Sequence, residues 1–288
     1  MNIDAHVHFW ELRQGHSIWS AKKIGGLQHD FTPEMLKPLC EKMGIEGVVV
    51  VQAATDPTET EYMVKLAVAS DFIKGVIGWL DLESDPQTLK LEIDRLRAIP
   101  KLCGIRAHPP KEFDPSWLTD PAVRDSYRLI AQSNIPVDFL ANCTQLGPVS
   151  DLLTDVPEMT AIINHGGRPF VMTGELDKWR KDMRQIANQT SAYIKVSGLV
   201  ERAGVEWQVD TLRPWVEAML EDFGCSRLIF ASNWPVMTLM STYELWADAL
   251  NTILDQAGVS GSDKDMLLGG TAAKVYGLTN TVPSSQGK

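Results

Sequence analysis

The chain has 288 residues, 44% of them hydrophobic and 22% charged, and carries a net charge of −10 at pH 7. Such proportions suit a globular protein with a large core, and the acidic balance disfavours nucleic acid and anionic membranes as partners. No apolar run approaches the roughly 18 residues of a membrane span. The chain opens on a strand-like MNIDAHVHFW with no basic-then-apolar leader. Cys40, Cys103, Cys143 and Cys225 show no C-x-x-C spacing and read as thiols of a reducing compartment. The expected location is the cytoplasm.

Short apolar, β-branched runs alternate with helical periodicity along the chain. The first run, IDAHVHF at 3–9, leads into a long loop that ends at Asp30, after which Thr32 and Pro33 mark a helix start. The second, GVVVVQA at 47–53, is the near-continuous apolar run of a strand buried on both faces. Asp56-Pro57 opens the next helix, GVIGWLDL at 75–82 is the third strand, and Asp85-Pro86 opens another helical stretch. Further strands are expected at 104–108, 135–141, 160–167, 192–198 and 227–234, with helical periods around 120–133, 144–154, 174–189, 208–222 and 243–257. A last apolar helix near 263–277 is expected to pack outside the ring.

Eight strands alternating with eight helical segments imply parallel neighbours joined by crossover helices. That pattern fits a closed (β/α)8 TIM barrel, an α/β fold that runs as one domain of about 250 residues. An open, doubly wound sheet lacks support, since no G-x-G-x-x-G follows the first strand. The barrel is placed at 1–280 and a polar tail at 281–288.

In a barrel the carboxyl ends of the strands line the catalytic mouth. His6 and His8 end the first strand two apart, so their side chains share a face. Two imidazoles so placed suit one divalent ion or one substrate oxygen. His165 stands in NHGGRP, where paired glycines allow close backbone approach. Arg106 and His108 share parity at the end of the fourth strand. An arginine inside a barrel needs an anionic partner, either an acidic side chain or a substrate carboxylate or oxyanion. Lys195 and Ser197 share a face at the end of the seventh strand, with Lys195 suited to polarising a carbonyl. Gln52, Trp79, Asp81 and Asp138 are further polar or aromatic strand-end positions, each as readily structural as substrate-binding. Asn233 ends the eighth strand beside Trp234 and Pro235, where it caps a turn or faces the site. Trp10 and Trp19 are candidate walls for a ring-shaped ligand, and His16 and His29 read as loop residues.

Taken in order, DAHVHFW, VVVQA, GWLDL, GIR, NHGGRP, KVSGL and ASNWPV resemble the amidohydrolase-2 branch of the amidohydrolase superfamily, and within it the sugar-lactone and muconolactone hydrolases. The resemblance spans nearly the whole chain. It implies carbohydrate-type metabolism, in which water opens a lactone to a hydroxy acid. His6, His8 and His165 would surround the carbonyl and any ion. Arg106 and Lys195 would bind its oxygen or a neighbouring carboxylate. From their positions in the chain, Gln52, Trp79, Trp10 and Trp234 are further candidate substrate-binding residues. It leaves the cofactor open between one divalent cation, zinc or manganese, held by those histidines, and none, and it allows a homo-oligomer.

One position departs from the family pattern. The eighth strand ordinarily ends in S-D-W-P, whereas this chain has Asn233. An amide cannot accept a proton at neutral pH, so it cannot be the general base expected there. Three accounts follow: an Asp→Asn substitution that disarms the enzyme, another base such as His165 or Asp81, or binding without turnover. The rival readings are a metal-dependent decarboxylase of the same superfamily and a non-catalytic barrel that binds a small acid.

Overall fold

The helices Pro57–Ala69, Pro86–Arg97 and Pro121–Ser133 all begin with the same device. Asp56, Asp85 and Asp120 accept hydrogen bonds from backbone N–H groups of the first turn, and the following proline supplies a fixed φ where no donor is needed. At Pro33–Lys42 the proline is in place, but Thr32 makes no side-chain cap and bonds Glu34 instead. These starts set the rhythm of the chain. The computed structural model describes residues 1–14, 24–107, 114 and 116–278; His16, Trp19, His108 and the tail 281–288 lie outside the described residues.

Among these, eight strands form one sheet in sequence order: β1 Ile3–Val7, β2 Gly47–Val51, β3 Ile73–Trp79, β4 Leu102–Arg106, β5 Val137–Phe139, β6 Ala161–Ile163, β7 Tyr193–Val196 and β8 Leu228–Phe230. Every neighbouring pair is parallel. The ring closes beyond β8, where Val7 bridges Trp234 in parallel, His8 N donates to Trp234 O at 2.8 Å and Asn233 N donates to His6 O at 2.9 Å. The result is a (β/α)8 barrel. The strands are shorter at their carboxyl ends than the sequence suggests, because His8, His165, Ser197 and Asn233 occupy the turns that follow.

Between strands and helices lies one apolar layer that includes Val48, Val50, Val76, Ile105 and Val137. Ile3, Ala5, Val49, Val51, Ile77, Ile162 and Ile229 form a second cluster inside the ring. In β1 the register shifts between Asp4 and Val7. Ile3 and Ala5 therefore fill the interior while Val7 joins the outer layer, and His6 and His8 follow onto the inner face.

The C-terminal helix corrects one expectation. It is built as Gly261–Asp265, a π turn at Met266–Gly270 and Thr271–Val275, and it does not sit wholly outside the ring. Ala272 and Tyr276 belong to the interior cluster, and Tyr276 Oη donates to Asp138 Oδ1 at 2.7 Å. A Cβ at Gly269 would lie 2.1 Å from Met1 O. Only glycine lets the helix press this closely on the start of β1.

Candidate active site

His6 and His8 meet at the carboxyl end of β1, their Nε2 atoms 3.2 Å apart and both rings buried. Their tautomers follow from the far side of each ring. His8 Nδ1 lies 2.6 Å from Val51 O, a group that only accepts, so His8 carries its proton there and a lone pair on Nε2. His6 Nδ1 lies 3.5 Å from Lys195 Nζ. With Lys195 as donor, His6 accepts at Nδ1 and donates its Nε2 proton to His8. One unbroken direction of donation then runs from Lys195 through both imidazoles to the Val51 carbonyl.

Both rings are held neutral. Burial, then the proximity of His165, Lys195, His8 and Arg106, pushes His6 well below the usual imidazole range. Burial and Arg106 push His8 down to about 3. Burial, Arg168 and Arg106 do the same to His165. The last ring sits 4.4 Å from His6 between centroids, and its Nδ1 lies 2.9 Å from Ser197 Oγ. His165 adopts φ 57°, an uncommon left-handed conformation that the Gly166-Gly167 turn accommodates.

Lys195, on β7, is fully buried and donates to Asp138 Oδ2 on β5 at 2.5 Å. Burial lowers its pKa, and Asp138 opposes that shift. Arg106, the last residue of β4, donates through Nη2 to Gln52 O. Its Nε is buried with no hydrogen-bond partner among the described residues. Burial lowers Arg106 to about 10 against the pull of Asp138 and Glu59. A charged, buried donor without an acceptor is costly, and a ligand oxygen would relieve it.

The other sequence candidates divide. Gln52 spends its amide on Ala54 O and Asp56 O and accepts from Thr60, which fixes the turn after β2. Trp79 is half-buried, with its indole Nε1 shielded and without a partner among the described residues. Trp10 donates to His29 O and packs on Phe31, while Trp234 packs on Phe9 and Phe31. These two rings lie in the apolar layer. Asp81 is exposed and accepts from Glu83 N. A cavity of about 290 Å³ lined by Lys74, Lys101, Cys103 and Tyr276 shares none of the site's residues.

Glu201 escaped the sequence reading. It lies two residues past KVSGL, on the short helix Val200–Ala203, and its Oε1 accepts from Asn233 Nδ2 at 2.6 Å. The available signal was position: a carboxylate just beyond a strand end, in the turn that faces the mouth. Asn233 itself has φ 65° and lies within hydrogen-bonding reach of His8.

Two imidazole nitrogens 3.2 Å apart match two corners of a tetrahedral zinc site. A catalytic zinc ordinarily has three protein ligands, and no group of three His, Cys, Asp or Glu among the described residues is placed to hold an ion. An ion between the pair would also force the His6 proton onto Nδ1, against the Lys195 donor. The donor set among the described residues falls short of a catalytic zinc site.

The amidohydrolase family model matches residues 3–278. An L-fucono-1,5-lactonase of Burkholderia multivorans is 30% identical over 96% of both chains, and one of Burkholderia ambifaria is 30% identical over 82% of this chain and 81% of its own. A crystal structure of a Burkholderia multivorans amidohydrolase with bound zinc superposes with a TM-score of 0.88 at 27% identity, covering 97% of this chain and all of that one. No helix among the described residues is long and apolar enough to cross a membrane. The chain belongs to the amidohydrolase family and is a hydrolase.

Proposed function

We propose that this barrel opens the ester ring of a small sugar-acid lactone to its hydroxy acid by attack of water on the ring carbonyl. The observation that carries the reading is the pairing of neutral imidazoles with buried cationic donors. Lys195 Nζ stands 3.5 Å from His6 Nδ1, and Arg106 Nε is buried and unpartnered among the described residues. Ester hydrolysis builds negative charge on the carbonyl oxygen, and donors already fixed in a water-poor site stabilise it without reorganising. Arg106 and Lys195 are those donors. His6, His8 and His165, kept neutral, neither repel the cations nor compete with substrate as charges. The family membership and the lactonase relatives support the same chemistry.

Proton release from a panel of five- and six-membered sugar-acid lactones, L-fucono-1,5-lactone and L-rhamnono-γ-lactone among them, tests the reading. At least one should be opened at a rate well above its spontaneous hydrolysis. A panel with no turnover would remove the lactonase assignment.

A further inference from the structure

The eighth-strand position that the family resemblance assigns to a base holds an amide in this chain, yet a carboxylate stands in contact with it. Asn233 Nδ2 donates to Glu201 Oε1 at 2.6 Å, which leaves Oε2 buried and without a hydrogen-bond partner among the described residues. A shielded carboxylate oxygen with no donor is unfavourable in a finished core. It is the arrangement expected of a group that awaits a donor from the ligand side, and water is such a donor.

We infer that Glu201 is the base that activates water in this site, with Asn233 as the residue that positions it; this rests on the lactone-hydrolysis reading. Asn233 is itself anchored, its N–H bonded to His6 O at 2.9 Å and its side chain within reach of His8. It thereby ties Glu201 to the imidazole pair. An aspartate at 233 would set a second carboxylate against Glu201, and two carboxylates in contact cannot both ionise freely. An asparagine leaves Glu201 as the single acid of the pair and holds it by donation.

The surroundings suit the task. Burial raises the Glu201 carboxyl to about 7, and the Asn233 bond, Arg168 and Arg202 hold it from rising further. Of the elements packed on this turn, Val171–Thr173 and Val236–Leu239 bring no titratable side chain. Helix Val209–Phe223 brings acids that pair with Arg180, Arg184 and Arg213. A base that titrates near neutrality is effective there.

In the reaction Glu201 takes a proton from water as the water oxygen bonds the lactone carbonyl carbon. The carbonyl electron pair moves to its oxygen, where Arg106 and Lys195 hold it. Collapse reforms the carbonyl, breaks the ring C–O bond and sends the Glu201 proton to the departing ring oxygen. One lactone and one water become one hydroxy acid, and Glu201 is again ionised.

The test is kcat/KM against pH for the wild-type chain, Glu201→Gln, Glu201→Asp and Asn233→Asp, on a lactone that the wild-type chain opens. The wild-type profile should rise through about pH 7 and level off. Glu201→Gln should lose about 10²–10⁴-fold in kcat with KM little changed, together with the inflection. Glu201→Asp should recover part of the rate, and Asn233→Asp should slow turnover. Full activity with the same inflection in Glu201→Gln, or a large gain in Asn233→Asp, would overturn the role of Glu201 and leave the lactonase reading standing. A wild-type chain that opens no lactone would overturn both.

Discussion

Lys195 Nζ lies 2.5 Å from Asp138 Oδ2 in the barrel interior, with neither side chain exposed to solvent. The pair joins the two ends of the molecule. Lys195 reaches up toward His6, while Tyr276 from the C-terminal helix donates to the other Asp138 oxygen.

Removing either partner leaves a buried charge without compensation. Asp138→Ala and Lys195→Ala should each cost about 3–5 kcal/mol of stability. Tyr276→Phe, which deletes one bond to a charged acceptor, should cost about 1.5–3 kcal/mol. Urea unfolding read by circular dichroism measures all three. A Tyr276→Phe protein as stable as wild type would show that the bond to Asp138 contributes nothing to stability.

Gly198 adopts φ 67°, and a Cβ there would fall 2.5 Å from His165 Cβ. Gly198→Ala should therefore strain the turn by about 1–3 kcal/mol and displace the His165 ring from Ser197. Lactone turnover should drop at least about tenfold, as for a misplaced site group. Unchanged turnover in a folded Gly198→Ala protein would show that the seat of His165 does not matter.

The fold was legible in the sequence because its signals are local. Apolar runs mark the strands, and Asp-Pro pairs mark the helix starts at Asp56, Asp85 and Asp120. The inward pair His6 and His8 was also legible, although simple alternation from Ile3 and Ala5 would have turned them outward; the register shift in β1 preserves them. What escaped depends on contacts between distant segments. Tyr276 meets Asp138 across 138 residues and Glu201 meets Asn233 across 32, and no periodicity encodes either. Trp10 reads as a ligand wall and Trp234 as a substrate-site residue because indoles suit both roles; their aromatic neighbours Phe9 and Phe31 place them in the apolar layer.

Asp4 offers a pH signature of the fold. Its carboxyl accepts from Ser232 N, His6 N and Tyr243 Oη, yet burial outweighs these bonds and raises it from 3.8 to about 6. The folded chain thus holds this proton more tightly than the unfolded chain. The contribution of Asp4 to stability grows as pH falls from about 7 to about 4, by about 3 kcal/mol at most. Wild type compared with Asp4→Asn should accordingly gain on going from pH 7.5 to pH 5 in paired urea titrations. A difference that shrinks on acidification would contradict this.

With two imidazole nitrogens and no third ligand placed among the described residues, metal should not be retained stoichiometrically. Elemental analysis of the purified protein should find well under one zinc or manganese per chain, and chelator treatment should leave kcat/KM within about twofold. Loss of activity on chelation with recovery on adding zinc would show that the histidines rearrange around an ion.

Lactone opening in heavy-oxygen water, followed by mass spectrometry of the product, reports which carbon the water attacks. Catalysed formation of a hydroxy acid with one labelled oxygen in its carboxyl group is expected, as attack of water on the ring carbonyl requires. No product above the spontaneous rate, or label in the new hydroxyl group, would contradict it.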